Sequence, residues 1–548
     1  MKNYIKNHPF LSAFIIFFVV IFGIYGSNLF FGWTFYDDDV LILDKQEYLS
    51  FSNIKNILTD TVFGQEGDKF CRPVLNLTFL FEKYLYGTNP CGYHLTNILL
   101  HLFCVFSIYL LLTLRYDKKK TFILCLFFAV HPVLVQAVSW IPGRNDTLLT
   151  FFVVLSCYFL VKSLRAYGSK GKIIFFSLHT LFFVLALFTK ETAIIAPLFY
   201  IMFIFFSRSR CHSERSEESR RFRSLFRRSL YIIHYTLYII HCRRRSLYIV
   251  HCTLYIIIIL VYFLYRSFVL SYQTQSLNFR IFFDSFITSF PAVTKYIANI
   301  FFPVKLTVFS TMANADYILC VIVFLVFVWL FLKFREYEYN IKIVLFGFLW
   351  FFAFLLPTFI IPYNQFYDHR IYLSLVGIIL SLSEIIKNYN EEFSKKSVTI
   401  GIIIFLLFSF ITFTHGHKFM NREVFWINAL IDCPESDIAN SVVAGILVEN
   451  RAYDLAEEKY LKAISIHKNS KHYVNLAVLY IKTGRFDDAE ECLLKARMTD
   501  EYNPEVYYNL ALVYKVKGDM EKARLMKDLF IKVFTATNRV SKVPDLKI

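Results

Sequence analysis

Residues 10–31 read FLSAFIIFFVVIFGIYGSNLFF, a run that contains no charged side chain. A helix needs about 20 such residues to cross the hydrocarbon core of a bilayer, which is about 30 Å thick. The run follows Lys2 and Lys6, as the apolar part of a secretory signal peptide does, but that part is only about 7 to 15 residues long. The small residues near the end of the run form a poor cleavage site. We therefore expect residues 10–31 to remain in the protein as a membrane anchor.

Ten more apolar runs follow the first one along the chain. They cover residues 93–114, 121–141, 147–164, 173–189, 192–206, 247–265, 317–334, 342–362, 371–387 and 397–414. The 548 residues are 56% hydrophobic and only 18% charged, with a mean hydropathy of +0.48, whereas about a quarter of the residues of a soluble protein are charged. This composition excludes a soluble cytosolic enzyme. It predicts an all-α, polytopic membrane domain of about 11 spans.

The basic residues between these runs predict the orientation of the domain. Short cytoplasmic loops are enriched in Lys and Arg, and every second connection here is basic. These connections are residues 115–120, 162–172, 208–245, 333–342 and 387–396. We therefore expect the N-terminus in the cytoplasm and, with an odd number of spans, the C-terminal tail on the non-cytoplasmic side.

One of the basic connections belongs to a repetitive segment, residues 207–258. SLYIIHYTLYIIH at 229–241 and SLYIVHCTLYIII at 246–258 are near copies, and residues 208–245 hold eleven Arg and three Glu, or +8 of the net charge of +17. Arginines with interleaved aromatic residues also occur in nucleic-acid-binding proteins. A cytoplasmic insertion already accounts for this charge, so we predict no nucleic-acid partner and no metal site at the His-Cys pairs of the copies.

The C-terminal part, residues 416–548, has the composition of a soluble domain, with 20 Lys and Arg against 19 Asp and Glu. AYDLAEEKYLKAI, RFDDAEECLLKAR and DMEKARLMKDLFI place Ala456, Ala489 and Ala523 at intervals of 33 and 34 residues. This period is typical of tetratricopeptide repeats, in which small residues let paired helices approach closely. We divide the chain into a membrane domain, 1–415, and a repeat α-solenoid, 416–548, with repeats near 437–469, 470–503 and 504–537. The solenoid serves either as a peptide-binding surface or as a spacer.

Acidic and basic residues collect in the connections expected on the non-cytoplasmic side. YDDDVLI at 36–42 places three carboxylates directly after the first span, an arrangement that their mutual repulsion disfavours unless they have a function. A generic Asp triplet is otherwise a helix cap or a solvated loop. The other connections contribute Arg72, Arg144, Asp146, Lys190, Glu191, His369 and Arg370. Acids and bases from separate loops on one membrane face suggest an active site for an anionic, lipid-linked substrate.

Six motifs, in this order, resemble the transmembrane-and-tetratricopeptide O-mannosyltransferases and their bacterial relatives in the glycosyltransferase-C superfamily. They are YDD at 36–38, RPVLNLTF at 72–79 with GYHLTNILLH at 92–101, HPVLVQAVSWIPGRNDTL at 131–148, TKETAIIAPL at 189–198 and HRIYL at 369–373. With the C-terminal repeats, the resemblance covers nearly the whole chain. Two features depart from it: Gln136 stands where relatives often have Glu, and residues 207–258 are not a family feature.

The resemblance implies a polyprenyl-phosphate sugar as donor, taken from the membrane, and chemistry on the non-cytoplasmic face. For a bacterial relative this means a multi-pass protein of the inner membrane, with its repeats in the periplasm or outside the cell. Asp37 and Asp38 match the paired acids of the family's first loop. Some members of the superfamily need a divalent cation and others do not, so the need for a metal stays open, and no other cofactor is expected.

These residues give a mechanistic hypothesis for an inverting hexosyl transfer. Asp37 or Asp38 acts as general base on an acceptor hydroxyl, whose oxygen attacks the anomeric carbon and displaces polyprenyl phosphate. Five side chains are candidates to hold the phosphate: Arg72, Arg144, Lys190, His369 and Arg370. Each Arg alone is equally well explained as an interfacial anchor. Asp146 and Glu191 are candidate supporting partners or metal ligands.

Three functions fit the sequence. The first is a transferase that glycosylates proteins or peptides held by the repeats. The second is a transferase that decorates an envelope lipid or glycan, with the repeats recruiting a partner. The third is a noncatalytic membrane anchor that displays the repeats for assembly of a complex. A cavity that holds Asp37 or Asp38 together with Arg144 or Arg370 favours the catalytic functions.

Overall fold

The structure, a computed structural model, describes residues 8–63, 70–166, 168–204, 230–270, 279–289, 292–303, 305–309, 339–360, 366–388 and 395–537, with single positions between 318 and 332. Every regular element in these ranges is helical. The prediction of an all-α chain is therefore confirmed. The apolar run 317–334 and residues 207–229 of the repetitive segment lie largely or wholly outside the described residues.

The membrane part contains long helices, short helices and single turns. Its α-helices are Pro9–Tyr25, Ile54–Thr59, Pro73–Tyr86, Pro90–Thr113, Lys118–Ala129, Val135–Ser139, Arg144–Arg165, Ser169–Leu187, Leu230–Val269, Phe279–Ser289, Ala292–Phe301, Ile341–Leu355, Pro357–Ile360, Tyr372–Ile385 and Lys395–Gly416. Its 3-10 turns are Gly26–Phe30, Phe51–Asn53, Pro132–Leu134, Ile141–Gly143, Glu191–Ile195, Asp368–Ile371 and His417–Phe419, and a π turn covers Asp39–Leu43.

Seven of the described helical segments are long and apolar enough to cross a membrane. They are Pro9–Phe30, Pro90–Thr113, Ile141–Arg165, Ser169–Leu187, Val250–Val269, Ile341–Phe359 and Lys395–Phe419. The apolar runs at 192–206 and 371–387 form shorter helices, Glu191–Ile204 and Tyr372–Ile385. The chain is thus a multi-pass membrane protein, and the total of about 11 spans stays a prediction.

One further pair of helices counts as an eighth span only if both cross the membrane together. Lys118–Ala129 and Pro132–Ser139 together are long and apolar enough, but they are bent by 54° at the break. His131, which precedes Pro132, has an extended backbone with φ −70° and ψ 121°, as the proline ring requires of the residue before it. The bend brings Gln136 and Trp140, which follow it, into the centre of the protein, where both side chains are buried.

Tyr372–Ile385 is short because it lies inside the bundle, where nearly all of its residues are buried. It packs against Ile341–Leu355 at two glycines: a Cβ built on Gly377 would overlap the carbonyl oxygen of Gly347, and the reverse contact is equally close. Small residues allow such close approach of membrane helices. Because this helix begins two residues after Arg370, the glycine contact fixes the position of the preceding turn.

We expect Gly377→Ala to lower the thermal unfolding midpoint of the detergent-solubilised protein, because overpacking a core costs about 1–3 kcal/mol. Gly23→Ala is the matched control, since a Cβ at Gly23 meets no atom within 4 Å and alanine is the better helix former. Equal midpoints for the two variants would show that the glycine contact does not hold the helices together.

The C-terminal part forms three helical hairpins. Their helices are Asp437–Glu449 with Tyr453–Ile466, Ser470–Lys482 with Phe486–Thr499, and Pro504–Val516 with Met520–Thr537. Ala456 and Ala489 are fully buried and Ala523 is 4% exposed, at the contacts between helices where the repeat pattern places small side chains. The prediction of a helical repeat solenoid is confirmed.

A linking helix, Arg422–Asp432, connects the last span to the first hairpin. It packs on the loop after the first span: the Trp426 indole N–H donates to the carbonyl oxygen of Thr34 at 3.1 Å, and the Phe425 ring stacks on Tyr36. The N–H of Gly32 donates to the carbonyl oxygen of Met420 at 2.8 Å. The core of the membrane part continues through this helix into the first hairpin. The boundary between the membrane domain and the repeat domain at residue 415 stays a proposal. Many contacts cross this boundary.

Candidate active site

The polar loops enclose a cavity of about 290 Å³. Its charged or titratable lining residues are Asp37, Arg72, Asp146, Lys190, His369 and Arg370, and its aromatic lining residues include Tyr36, Trp140 and Tyr367. Six of the nine side chains singled out from the sequence therefore face one space. Asp38, Arg144 and Glu191 do not line it.

Asp37 is the acid of the first loop that faces the cavity. Its backbone has φ +65°, a left-handed conformation that is uncommon outside glycine and that often marks functional sites. No described residue donates a hydrogen bond to its carboxylate. Burial, together with the neighbouring charges of Asp38 and Asp39, raises the pKa of Asp37 to about 7, although Arg72 opposes the shift. A carboxyl group with a pKa near neutral pH is well suited to act as a general base.

Asp38 has a different environment. Its Oδ2 accepts hydrogen bonds from the backbone N–H and the hydroxyl of Thr34 at 2.7 and 3.0 Å, and its Oδ1 accepts one from the N–H of Tyr36 at 2.9 Å. The side chain is 1% exposed. Both oxygens are thus used to fold the loop, and this leaves Asp37 as the acid directed at the cavity.

Arg72 and Lys190 are each paired with an acid. Arg72 forms an ion pair with Glu191 at 3.3 Å, and Lys190 contacts both oxygens of Asp146 at 2.8 and 2.7 Å. Burial lowers the pKa of Lys190 to about 8, and the attraction of Asp146 opposes the shift. Glu191 is shared with Arg266 at 3.6 Å. Glu191 thus supports Arg72 from outside the cavity, while Asp146 supports Lys190 within it.

Arg370 is the cation that remains available to a ligand. It has no ion pair among the described residues, and its guanidinium lies over the ring of Tyr367, with its Cζ 5.1 Å from the ring centre. Its Nη1 is buried and has no hydrogen-bond partner in the described part of the chain. An unpaired buried donor is costly, and a phosphate oxygen would satisfy it.

His369 is held by Gln136. The backbone N–H and the ring Nδ1–H of His369 both donate to Oε1 of Gln136, at 3.1 and 3.2 Å. Burial and the nearby charges of Lys190, Arg370 and Arg72 keep the pKa of His369 well below its usual range. The ring is therefore neutral at pH 7. Its Nε2, 3.7 Å from Oδ2 of Asp146, carries no proton, so His369 is a poor phosphate ligand.

Arg144 lies outside the cavity, contrary to the expectation that it holds phosphate. Its side chain is fully buried and forms an ion pair with Glu82, and its Nη2 donates to the carbonyl oxygen of Tyr93 at 3.0 Å. The guanidinium lies over the ring of Phe79, 4.8 Å from its centre. Arg144 therefore joins the helices Pro73–Tyr86 and Pro90–Thr113 to the start of Arg144–Arg165. The sequence did not identify Glu82 as its partner.

Several aromatic residues of the site were not found from the sequence. Tyr36 stacks between Trp140 and Phe425, with ring centres 5.4 and 5.5 Å away, and its hydroxyl is hydrogen-bonded to that of Tyr367. The Trp140 indole N–H donates to the carbonyl oxygen of Tyr36 at 2.9 Å. Tyr36 and Trp140 lie inside sequence motifs given above, so those motifs could have identified both residues as part of the site. Phe425 has no such signal.

No three His, Cys, Asp or Glu side chains around the cavity come close enough to share a metal ion, as far as the described residues show. Such a group does occur in the repeats. The cavity thus offers an unpartnered carboxylate and an unpaired guanidinium, which suit proton abstraction and the binding of an anionic leaving group.

Fold and sequence together define a multi-pass, all-α membrane protein with tetratricopeptide repeats. Residues 73–216 match the family described as dolichyl-phosphate-mannose-protein mannosyltransferase. Residues 471–497 and 504–525 match the tetratricopeptide repeat.

Two O-mannosyl-transferases are similar to about a quarter of the chain. Protein O-mannosyl-transferase TMTC3 of Mus musculus is 31% identical over 151 residues, which are 26% of this chain and 16% of the relative. Protein O-mannosyl-transferase TMTC2 of Homo sapiens is 35% identical over 147 residues, 25% of this chain and 17% of the relative. The matched segment is thus about a sixth of the length of these relatives. The comparisons confirm the resemblance inferred from the sequence motifs.

Proposed function

We propose that this protein is a membrane glycosyltransferase that moves a hexosyl group from a polyprenyl-phosphate sugar to a hydroxyl group of a protein. The observation that carries the proposal is the cavity in which Asp37, an unpartnered carboxylate, and Arg370, an unpaired guanidinium, face the same space. The similarity to O-mannosyl-transferases supports both the reaction class and a protein acceptor. The distribution of Lys and Arg supports a site on the non-cytoplasmic face of a bacterial inner membrane.

Each step of the reaction uses a group of this cavity. Asp37 accepts the proton of the acceptor hydroxyl, and the hydroxyl oxygen forms a bond to the anomeric carbon. The bond between that carbon and the phosphate oxygen breaks on the opposite face of the sugar, so the configuration inverts. The polyprenyl phosphate leaves with the electron pair, and Arg370 donates hydrogen bonds to its oxygens. Arg72 and Lys190 are each held in place by an acid and complete the polar lining of the cavity around the phosphate.

The direct test is transfer from a radiolabelled polyprenyl-phosphate mannose by the full chain in lipid nanodiscs. We expect Arg370→Gln to reduce transfer about 100-fold, because it removes donors to the leaving phosphate. Arg370→Lys restores charge but not the two-pronged geometry, so it should recover only part of the rate. The control is Arg165→Gln, which changes an exposed arginine at the end of the helix Arg144–Arg165. Absence of transfer by the wild-type chain to any protein, lipid or glycan would favour the noncatalytic anchor.

The acceptor class is tested in the same assay. We propose that the repeats bind the acceptor protein, so label should appear in protein and not in lipid. Label that appears only in a lipid or glycan fraction would keep the cavity chemistry and reject the protein acceptor.

The pKa of Asp37 sets an expected pH dependence. Below pH 7 the Asp37 carboxyl group is increasingly protonated and cannot accept a proton. The value of kcat/KM should therefore rise about tenfold per pH unit in acid solution and become constant above about pH 7. Residual activity of Asp37→Asn should lack this acid limb. A wild-type profile that is flat between pH 5 and 8 would contradict the assignment.

A further inference from the structure

Asp437, His467 and His472 meet where the first two repeat hairpins touch. Asp437 is the first residue of helix Asp437–Glu449, and His467 directly follows helix Tyr453–Ile466. His472 lies in the first turn of helix Ser470–Lys482, in the next repeat. Three separate segments thus bring a carboxylate and two imidazoles to one place, far from the cavity in sequence.

The distances between these groups suit a metal ion. Oδ2 of Asp437 is 3.1 Å from Nδ1 of His467 and 3.2 Å from Nε2 of His472, and all three atoms lie within 4.8 Å of one another. Zinc bonds of about 2.0–2.1 Å in tetrahedral geometry place neighbouring ligand atoms about 3.3–3.4 Å apart. Both spacings from Asp437 to a histidine nitrogen are therefore within about 0.3 Å of the tetrahedral value, and the two histidine nitrogens lie within 4.8 Å of each other.

The identity and exposure of the donors indicate which metal. Two imidazole nitrogens and one carboxylate oxygen are ligands typical of zinc, and zinc sites with three protein ligands complete their coordination with water. His472 is 5% exposed, so packing fixes its ring, whereas the His467 side chain is 64% exposed. The cluster therefore has one rigid wall and one side open to solvent, through which the ion and its water enter.

We propose that Asp437, His467 and His472 form a binding site for a zinc ion, which ties the first repeat hairpin to the first helix of the second. The ion replaces the two hydrogen bonds of Asp437, of which the one to His472 crosses this junction, with three coordinate bonds. It fixes the angle between the two hairpins, and with it the curvature of the repeat surface. This site is independent of the proposed transferase reaction.

The test uses the untagged full chain in detergent, titrated with Zn²⁺ against a chromogenic chelator. We expect one equivalent to bind, and Co²⁺ in its place to give the visible absorption of a tetrahedral ion. His467→Ala should weaken zinc binding at least about tenfold, because even the loss of a residue that supports a ligand costs about 10–100-fold. His8→Ala removes an exposed histidine outside the cluster and should leave the affinity unchanged.

Two results would overturn the proposal. One is a wild-type chain that binds no zinc equivalent. The other is equal zinc affinity for the wild type, His467→Ala and Asp437→Asn, since any bound ion would then lie elsewhere. His467 is exposed, so its replacement does not endanger folding, and circular dichroism of each variant checks this. Transfer activity is not a readout here, so failure of this proposal leaves the proposed function untouched.

Discussion

Asp37→Asn should reduce sugar transfer by about 10²–10⁴-fold while leaving the protein folded. This range is the usual contribution of a positioned general base, and asparagine has nearly the same shape but cannot accept the proton. No described residue donates a hydrogen bond to the Asp37 carboxylate, so the substitution breaks no internal contact. The measurement is the rate of transfer from polyprenyl-phosphate mannose at saturating acceptor, with the thermal unfolding midpoint recorded for each variant.

Two neighbouring acids provide controls for Asp37→Asn. Asp44→Asn changes an exposed acid of the same loop region and should leave both rate and stability unchanged. Asp38→Asn should instead lower the unfolding midpoint, because Asp38 accepts three hydrogen bonds that fold the loop. If Asp38→Asn abolishes transfer at unchanged stability while Asp37→Asn is active, the two roles are reversed.

Glu82→Ala should destabilise the protein by about 3–5 kcal/mol, the usual cost of leaving one charge of a buried ion pair without its partner. Arg144 is 0% exposed, and its guanidinium is enclosed by Glu82, the Tyr93 carbonyl and the ring of Phe79. It cannot reach water without moving the helix that begins at Arg144. Denaturant unfolding of the detergent-solubilised variant measures the loss.

The double variant Glu82→Leu with Arg144→Met separates structure from catalysis. Replacing both members of a buried ion pair by apolar residues of similar volume is often neutral, so most of the stability should return. Because Arg144 lies outside the cavity, sugar transfer should return with it. A stable double variant without transfer would make Arg144 a phosphate ligand after all.

The membrane helices could be predicted from the sequence because span length and apolar composition are local properties. The runs at 192–206 and 371–387 show the limit of this approach. Both are apolar enough for spans, but Tyr372–Ile385 is apolar because it is buried on all sides, and a buried helix and a lipid-facing helix have similar compositions. The packing of Gly377 on Gly347 shows that Tyr372–Ile385 is a buried helix. Such packing depends on residues far apart in the sequence and cannot be seen from a local run.

The candidate site was predicted in composition but not in detail. Loop position alone grouped Asp37, Arg370 and Lys190, and all three line one cavity. It could not separate Asp37 from Asp38, because their difference depends on the φ of +65° at Asp37 and on which side chain reaches Thr34. Nor could it show that Arg144 has a buried partner in Glu82, 62 residues away.

The linking helix Arg422–Asp432 has a consequence for how such a protein can be recombined. Trp426 and Phe425 contact the same loop that presents Asp37, so the eleven residues of this helix pack as part of the membrane domain although they lie next to the repeats in the chain. Consider a chimaera in which the repeats of this protein are replaced by those of another. The loop keeps its contacts with the linking helix when the fusion point lies after Asp432. A junction directly after the last span removes that support. We therefore expect exchange of the repeat domain to be tolerated only at that point in the chain.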